Sequence, residues 1–142
     1  MSFINKLKGQ QEIFLSNVNY NMSFVVNTKG ETHLVVKDWL EVSLENAKIK
    51  VIFSREVKTE PVELFELNVA MGCLLPIKEE FLKDSNWKID ELNKEIKEDK
   101  RILSGLISRV SLLISQITSS YGQSPIITPP NFIEQKSDES SK

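Results

Sequence analysis

Any chemistry in this chain has to start from very few residues. There is one histidine, His33, and one cysteine, Cys73. Nucleophilic or acid–base catalysis needs such a group beside a partner that activates or orients it. His33 has no cysteine, serine or carboxylate at a motif spacing, and reads as a surface or strand-end histidine. Cys73 lies in the apolar run Asn68-Val-Ala-Met-Gly-Cys-Leu-Leu75, where a small core residue is the expected role. The acidic clusters Glu79-Glu80 and Glu95-Ile-Lys-Glu-Asp99 have no histidine nearby, so a solvated helix face is expected over a metal site. No Gly-rich phosphate loop, nucleophile elbow or paired zinc motif occurs. The expectation is a protein that is not an enzyme and needs no cofactor and no metal.

The chain offers apolar material instead. Phe14, Phe24, Trp39, Phe53 and Phe65 are expected in the core, where large aromatics usually sit. Pro125-Ile-Ile-Thr-Pro-Pro-Asn-Phe132 is different, because prolines place it in a loop and loops run over surfaces. Ile126, Ile127 and Phe132 therefore either line a groove or cap the core.

Two successions of elements must position these residues. The first half is strand-like. Phe14, Ser16, Val18, Tyr20, Met22 and Phe24 share one file at period two between Glu12 and Asn27, which predicts a half-buried antiparallel strand. Thr28-Lys-Gly-Glu31 is a turn, with Gly30 free to take positive φ. His33 to Leu44 reads as a crossing segment with a short strand from Trp39 to Glu45. Lys48 to Val57 is a third strand, with Ile49, Val51 and Phe53 on one face. Lys58-Thr-Glu-Pro61 suits a hairpin turn. Val62 to Ile77 is a fourth strand whose apolar file shifts around Phe65, predicting a bend or bulge there.

The second half switches to helical period. Ile89, Leu92 and Ile96 recur at spacings of three and four in the charged stretch Trp87 to Lys100, with Asp84-Ser85 as an N-cap signal. Leu103, Leu106, Ile107, Val110, Leu113, Ile114, Ile117 and Tyr121 continue a second helix to Gly122, a suitable C′ residue. Strands first and helices last predict an α+β fold: a four-stranded antiparallel sheet, a charged helix, then a long amphipathic one. Ser104, Gly105, Ser108, Ser111 and Ser115 form a small-residue file on that last helix and are expected at an oligomer interface.

Composition sets the outer bounds. With 142 residues, 40% apolar and 27% charged, the chain has the make-up of one ordinary globular domain. The organisation expected is an N-terminal arm over 1–11, a domain over 12–133 and a polar tail over 134–142. A net charge of −2 leaves no electrostatic footprint for nucleic acid. One cysteine forbids an intramolecular disulfide. The first residues carry too short an apolar run for a signal peptide, and no segment reads as a bilayer span of ~20 apolar residues. A cytoplasmic protein without membrane insertion is expected.

The ordered features resemble the SecB export-chaperone family. Phe14-Leu-Ser-Asn-Val-Asn-Tyr-Asn-Met-Ser-Phe24 looks like its first strand, and Lys37-Asp-Trp39 is similar to the segment with its characteristic tryptophan. Phe65 to Ile77 resembles its last strand, Ile102 to Ser115 its long helix, and Gly122 to Phe132 its Gly-x-x-Pro-apolar-x-Pro-x-Asn-Phe loop. The resemblance covers residues 12–132. It implies a homo-oligomer, a dimer or a dimer of dimers, with apolar grooves that hold unfolded polypeptides for export. The chain departs from the pattern after Phe132, where the family's C-terminal helix and its Cys/His zinc tail are missing. Trp39, Leu40, Val42, Ile126, Ile127 and Phe132 are the expected polypeptide-binding groove. The alternative is a dedicated adaptor or inhibitor of one protein partner, such as a toxin or a phage factor. A purely structural homo-oligomer is a third reading.

Overall fold

A computed structural model describes residues 3–9, 11–22, 33–61, 64–83, 87–119 and 125–134. Four antiparallel strands, β1 (Glu12–Met22), β2 (His33–Glu45), β3 (Lys48–Glu60) and β4 (Phe65–Pro76), precede two helices, α1 (Ile89–Glu98) and α2 (Lys100–Ser119). The fold is α+β, as the change of period requires. In space the strands run β1-β4-β3-β2, so three consecutive strands are hairpin-connected and the first lies beside the last. This is a Greek-key connection. The β2–β3 hairpin turns on two residues, with Asn46 at φ 54° as such a tight turn demands.

Period-two alternation gives the sheet one covered face. Ile49, Val51, Phe53 and Val57 of β3 lie opposite Leu75, Cys73, Met71 and Leu67 of β4, and all are buried. Leu103, Leu106, Ile107, Val110 and Ile114 of α2 close the core from above. α2 crosses β4 and β3, while α1 sits over β2. Asp99 joins the helices: its Oδ1 accepts the Arg101 backbone N–H at 3.0 Å, an N-cap bond that starts α2 as α1 ends.

Several boundaries differ from the sequence expectation. β2 is one unbroken 13-residue strand, because pairing with β3 runs from His33–Glu60 to Glu45–Lys48. The ladder also carries Lys58, Thr59 and Glu60, so these residues read as a turn belong to the strand, and beyond them the Leu64 N–H donates to Thr59 Oγ1 at 2.7 Å. β4 keeps unbroken register with β3 from Pro76 to Glu66, Phe65 pairs with Met22 of β1, and the irregularity lies in β1, between Leu15 and Asn17. That bulge puts Ile13, Leu15, Val18, Tyr20 and Met22 on the helix side. It leaves Phe14 on the opposite face above Gly72, splitting the single file read from period two. Phe24, the Thr28–Glu31 turn, the Asp84-Ser85 cap, Tyr121, Gly122 and the tail beyond Glu134 lie outside the described residues. Arg101–Ser119 has a mean hydropathy of 1.4 and is long enough to cross a bilayer, contrary to the expectation that no segment is. Here its apolar stripe faces the sheet.

The N-terminal residues pack onto the domain. Leu7 is buried and bridges Ile77, and the Phe3 and Ile4 N–H groups donate to the Glu95 carboxylate at 3.1 and 3.0 Å. Lys6 Nζ lies 5.0–5.6 Å from the ring centroids of Phe3, Phe81 and Trp87.

Candidate functional site

The inward files of β2 and β3 contain one charge each. β3 reads Ile49, Val51, Phe53, Arg55, Val57 toward the helices, and β2 reads Val36, Asp38, Leu40, Val42. Strand register sets Asp38 directly opposite Arg55. Both side chains are fully buried, and two bonds join them: Nε to Oδ1 at 2.7 Å and Nη2 to Oδ2 at 2.8 Å. A buried guanidinium needs its remaining donors satisfied. Most go to the irregular segment after α2, which bends at Pro130 and Asn131. Nη1 donates to Thr128 Oγ1 at 2.9 Å and to the Pro129 carbonyl at 2.7 Å; Nη2 donates to the Asn131 carbonyl at 3.1 Å. The Ile133 N–H returns a bond to Asp38 Oδ2 at 2.8 Å. Ser111 Oγ of α2 accepts from Nη1 at 3.2 Å and shares a hydrogen bond with Thr128 at 3.0 Å. Residues 128–133 thus form a strap, tied through its backbone to a buried ion pair.

Beside the strap is an open cleft of about 290 Å³. Leu103 and Ile107 of α2 form one wall, Pro130 and Phe132 the other. The Phe132 ring also lies 6.0 Å from that of Phe53. Lys97 sits at the mouth, 4.9 Å from the Phe132 centroid and 3.6 Å from Glu134 Oε1. The cleft is an apolar slot with charges on its rim. It suits a hydrophobic side chain whose backbone stays near water.

The residues expected in a groove do not all meet. Phe132 is half-buried at the cleft, while Leu40 and Val42 are half-buried on the helix side of β2. Trp39 pairs with Ser54 and points to the opposite face of the sheet, 45% exposed. Ile126 is half-buried, its N–H bonded to Thr118 Oγ1 at 2.9 Å, and Ile127 is 79% exposed. The small-residue file divides as well. Ser104, Gly105 and Ser108 are exposed, with Ser104 also at the cleft. Ser111 is tied to Arg55 and Thr128, and Ser115 bonds back to the Leu112 carbonyl at 2.8 Å.

Two features escaped the sequence reading. Arg55 and Asp38 had a visible signal: opposite charges at inward positions of neighbouring strands. The second is on β1. Among the described residues, Ile13 (37%), Leu15 (56%), Val18 and Met22 are exposed in a row on its helix side, along an edge strand. The bulge hid that row by splitting the file. Among the described residues no group of three His, Cys, Asp or Glu side chains could hold a metal ion. Cys73 is buried, and desolvation pushes its thiol up to about 11. A thiol held protonated in this way is a core residue and a poor nucleophile.

No protein-family model matches the chain, and no curated protein matches it by sequence. Solved structures do. The SecB-like chaperone Rv1957 of Mycobacterium tuberculosis, in complex with a ChAD peptide from the HigA1 antitoxin, superposes with a TM-score of 0.62 at 8% identity, over 87% of this chain and 88% of that one. A protein of unknown function from Streptococcus agalactiae gives 0.43 at 14% identity, over 87% and 98%. The fold of this chain is SecB-like.

Proposed function

We propose that the protein binds unfolded or partly folded polypeptides, in the manner of a SecB-like chaperone, in the cleft between the strap, α2 and the end of α1. The observation that carries this is the cleft walled by Leu103, Ile107, Pro130 and Phe132, an open slot with apolar walls beside the core. Leu40, Val42 and Ile126, which do not line the cleft, are half-buried against the same core, and Ile127 is exposed. Such a surface binds by many modest apolar burials, each worth ~25 cal/mol per Å², and so tolerates varied sequences. That the similar mycobacterial chaperone is seen with a peptide supports a polypeptide ligand. The exposed row on β1 serves a second copy of the chain, which makes the working form a homo-oligomer in the cytoplasm.

One observation favours a narrower reading. The peptide held by that chaperone comes from one antitoxin, which fits an adaptor dedicated to a single partner.

The test is light scattering from a chemically unfolded client diluted into the purified protein at near-stoichiometric ratio. Aggregation is expected to slow, and Ile127→Asp, which touches no core contact, is expected to weaken the effect. Folded protein that protects none of several clients overturns the general reading. Protection confined to one partner selects the adaptor.

A further inference from the structure

We propose that Arg55 and Asp38 form a main-chain-reading site for polypeptide, and that residues 128–133 occupy it as an internal ligand. The inference rests on the polypeptide-binding function above and concerns the same groove. Its basis is the pattern of bonds. The pair contacts the carbonyls of Pro129 and Asn131 and the N–H of Ile133, alternate residues of a segment with no helix or strand. These are main-chain groups that any polypeptide carries, whatever its side chains, presented here by a segment that bends at Pro130 and Asn131, so a client that replaces it takes the same bend. Thr128 supplies the one side-chain contact from the strap.

Outside this site the strap is held at its two ends, by Ile126 on Thr118, by Phe132 beside Phe53 and by Glu134 on Lys97, and its middle is open to solvent. Pro129, Pro130, Asn131 and Ile127 are exposed, and the cleft runs along its flank. A client can therefore seat an apolar side chain between Leu103 and Phe132 before the strap moves, then exchange its own backbone for the strap's. The buried ion pair explains why the exchange must be one-for-one, since neither charge can be left without partners. Apparent client affinity is then reduced by the fraction of molecules in which the strap is seated. Weakening the strap should tighten client binding, the reverse of what damage to an ordinary structural contact does.

Two variants test this. Thr128→Val removes one bond to Arg55 while keeping shape, and should bind a client about tenfold more tightly, the scale of one hydrogen bond to a charged group. Ser111→Cys with Thr128→Cys places two thiols where the hydroxyls now stand 3.0 Å apart, so oxidation locks the strap. The probe is a fluorescein-labelled synthetic peptide of residues 125–134, read by anisotropy, alongside unfolded client in the aggregation assay. The oxidised lock should bind the peptide at least tenfold more weakly, with recovery on reduction. Equal affinity in the oxidised and reduced forms overturns the inference, and so does a folded Thr128→Val protein that binds no more tightly. Client protection that ignores the lock sinks the strap and leaves the chaperone reading standing. Peptide affinity that follows the lock, with no client protected, upholds the strap site and sinks the chaperone reading.

Discussion

Arg55 and Asp38 lie opposite each other on adjacent strands, both side chains without solvent exposure, joined by bonds of 2.7 and 2.8 Å. Their attraction must offset the cost of taking two charges out of water, and the strap's backbone completes their coordination. Asp38→Ala leaves the guanidinium unpaired and should destabilise the fold by about 3–5 kcal/mol in urea titration. The paired replacement Asp38→Leu with Arg55→Met should recover part of this. Full recovery is not expected, because the Pro129 and Asn131 carbonyls would lose their donor. If Asp38→Ala unfolds at the wild-type midpoint, the pair contributes nothing and its role as hub is wrong.

Gly72 sits beneath the Phe14 ring on the far face of the sheet. A Cβ built there would lie 2.4 Å from Phe14 Cζ, so the ring or the strand must move to admit one. Gly72→Ala should cost about 1–3 kcal/mol, the usual scale of overpacking. In a Phe14→Ala background the clash is gone, and the same alanine should be close to neutral. A double-mutant cycle by urea unfolding measures the coupling. Equal costs in both backgrounds would separate Gly72 from Phe14.

The sheet and helices were legible because they rest on local period. Ile49, Val51 and Phe53 share a face at spacing two, and Leu103, Leu106, Ile107 and Val110 share one at three and four. What the period could not show was its own interruption. One bulge between Leu15 and Asn17 moved Phe14 to the other face and put Leu15 in its place, so the exposed row on β1 was invisible. Trp39 was grouped with Leu40 by sequence adjacency, yet neighbours in a strand point to opposite faces. The strap's attachment is a long-range fact: Asp38 and Ile133 are 95 positions apart, and only register across the β2–β3 ladder brings Arg55 between them.

Cys73 makes stability depend on pH at the alkaline end. Burial raises its thiol from an ordinary 9.0 to about 11, so the folded state resists losing the proton. The unfolded chain ionises first. This contribution is therefore fully present below about pH 9 and is lost progressively as pH rises toward 11. Wild type should lose more stability across that window than Cys73→Ala, since the lysines that also titrate there are common to both. Parallel pH profiles for the two proteins would contradict a buried, protonated thiol. Slow labelling of the native protein by a thiol reagent, accelerated by urea, is the matching kinetic result.

The uncovered row on β1 and the small residues of α2 are rival places for a second copy, and one pair of substitutions decides between them. Leu15 is 56% exposed, so Leu15→Glu removes no core contact and should change the monomer's stability by less than about 0.5 kcal/mol. If β1 is the seat of self-association, a charge in the middle of the row must be desolvated on assembly. The mass from light scattering should then fall toward the 16.2 kDa of one chain. A Cβ at Gly105 meets nothing within 4 Å, so Gly105→Ala should stabilise α2 by about 0.5–1 kcal/mol through helix propensity alone. Were α2 packed closely on a partner there, the added methyl would collide and lower the mass instead. The β1 assignment requires Leu15→Glu to dissociate the assembly and Gly105→Ala to leave its mass unchanged. The opposite pair of results moves the interface to α2.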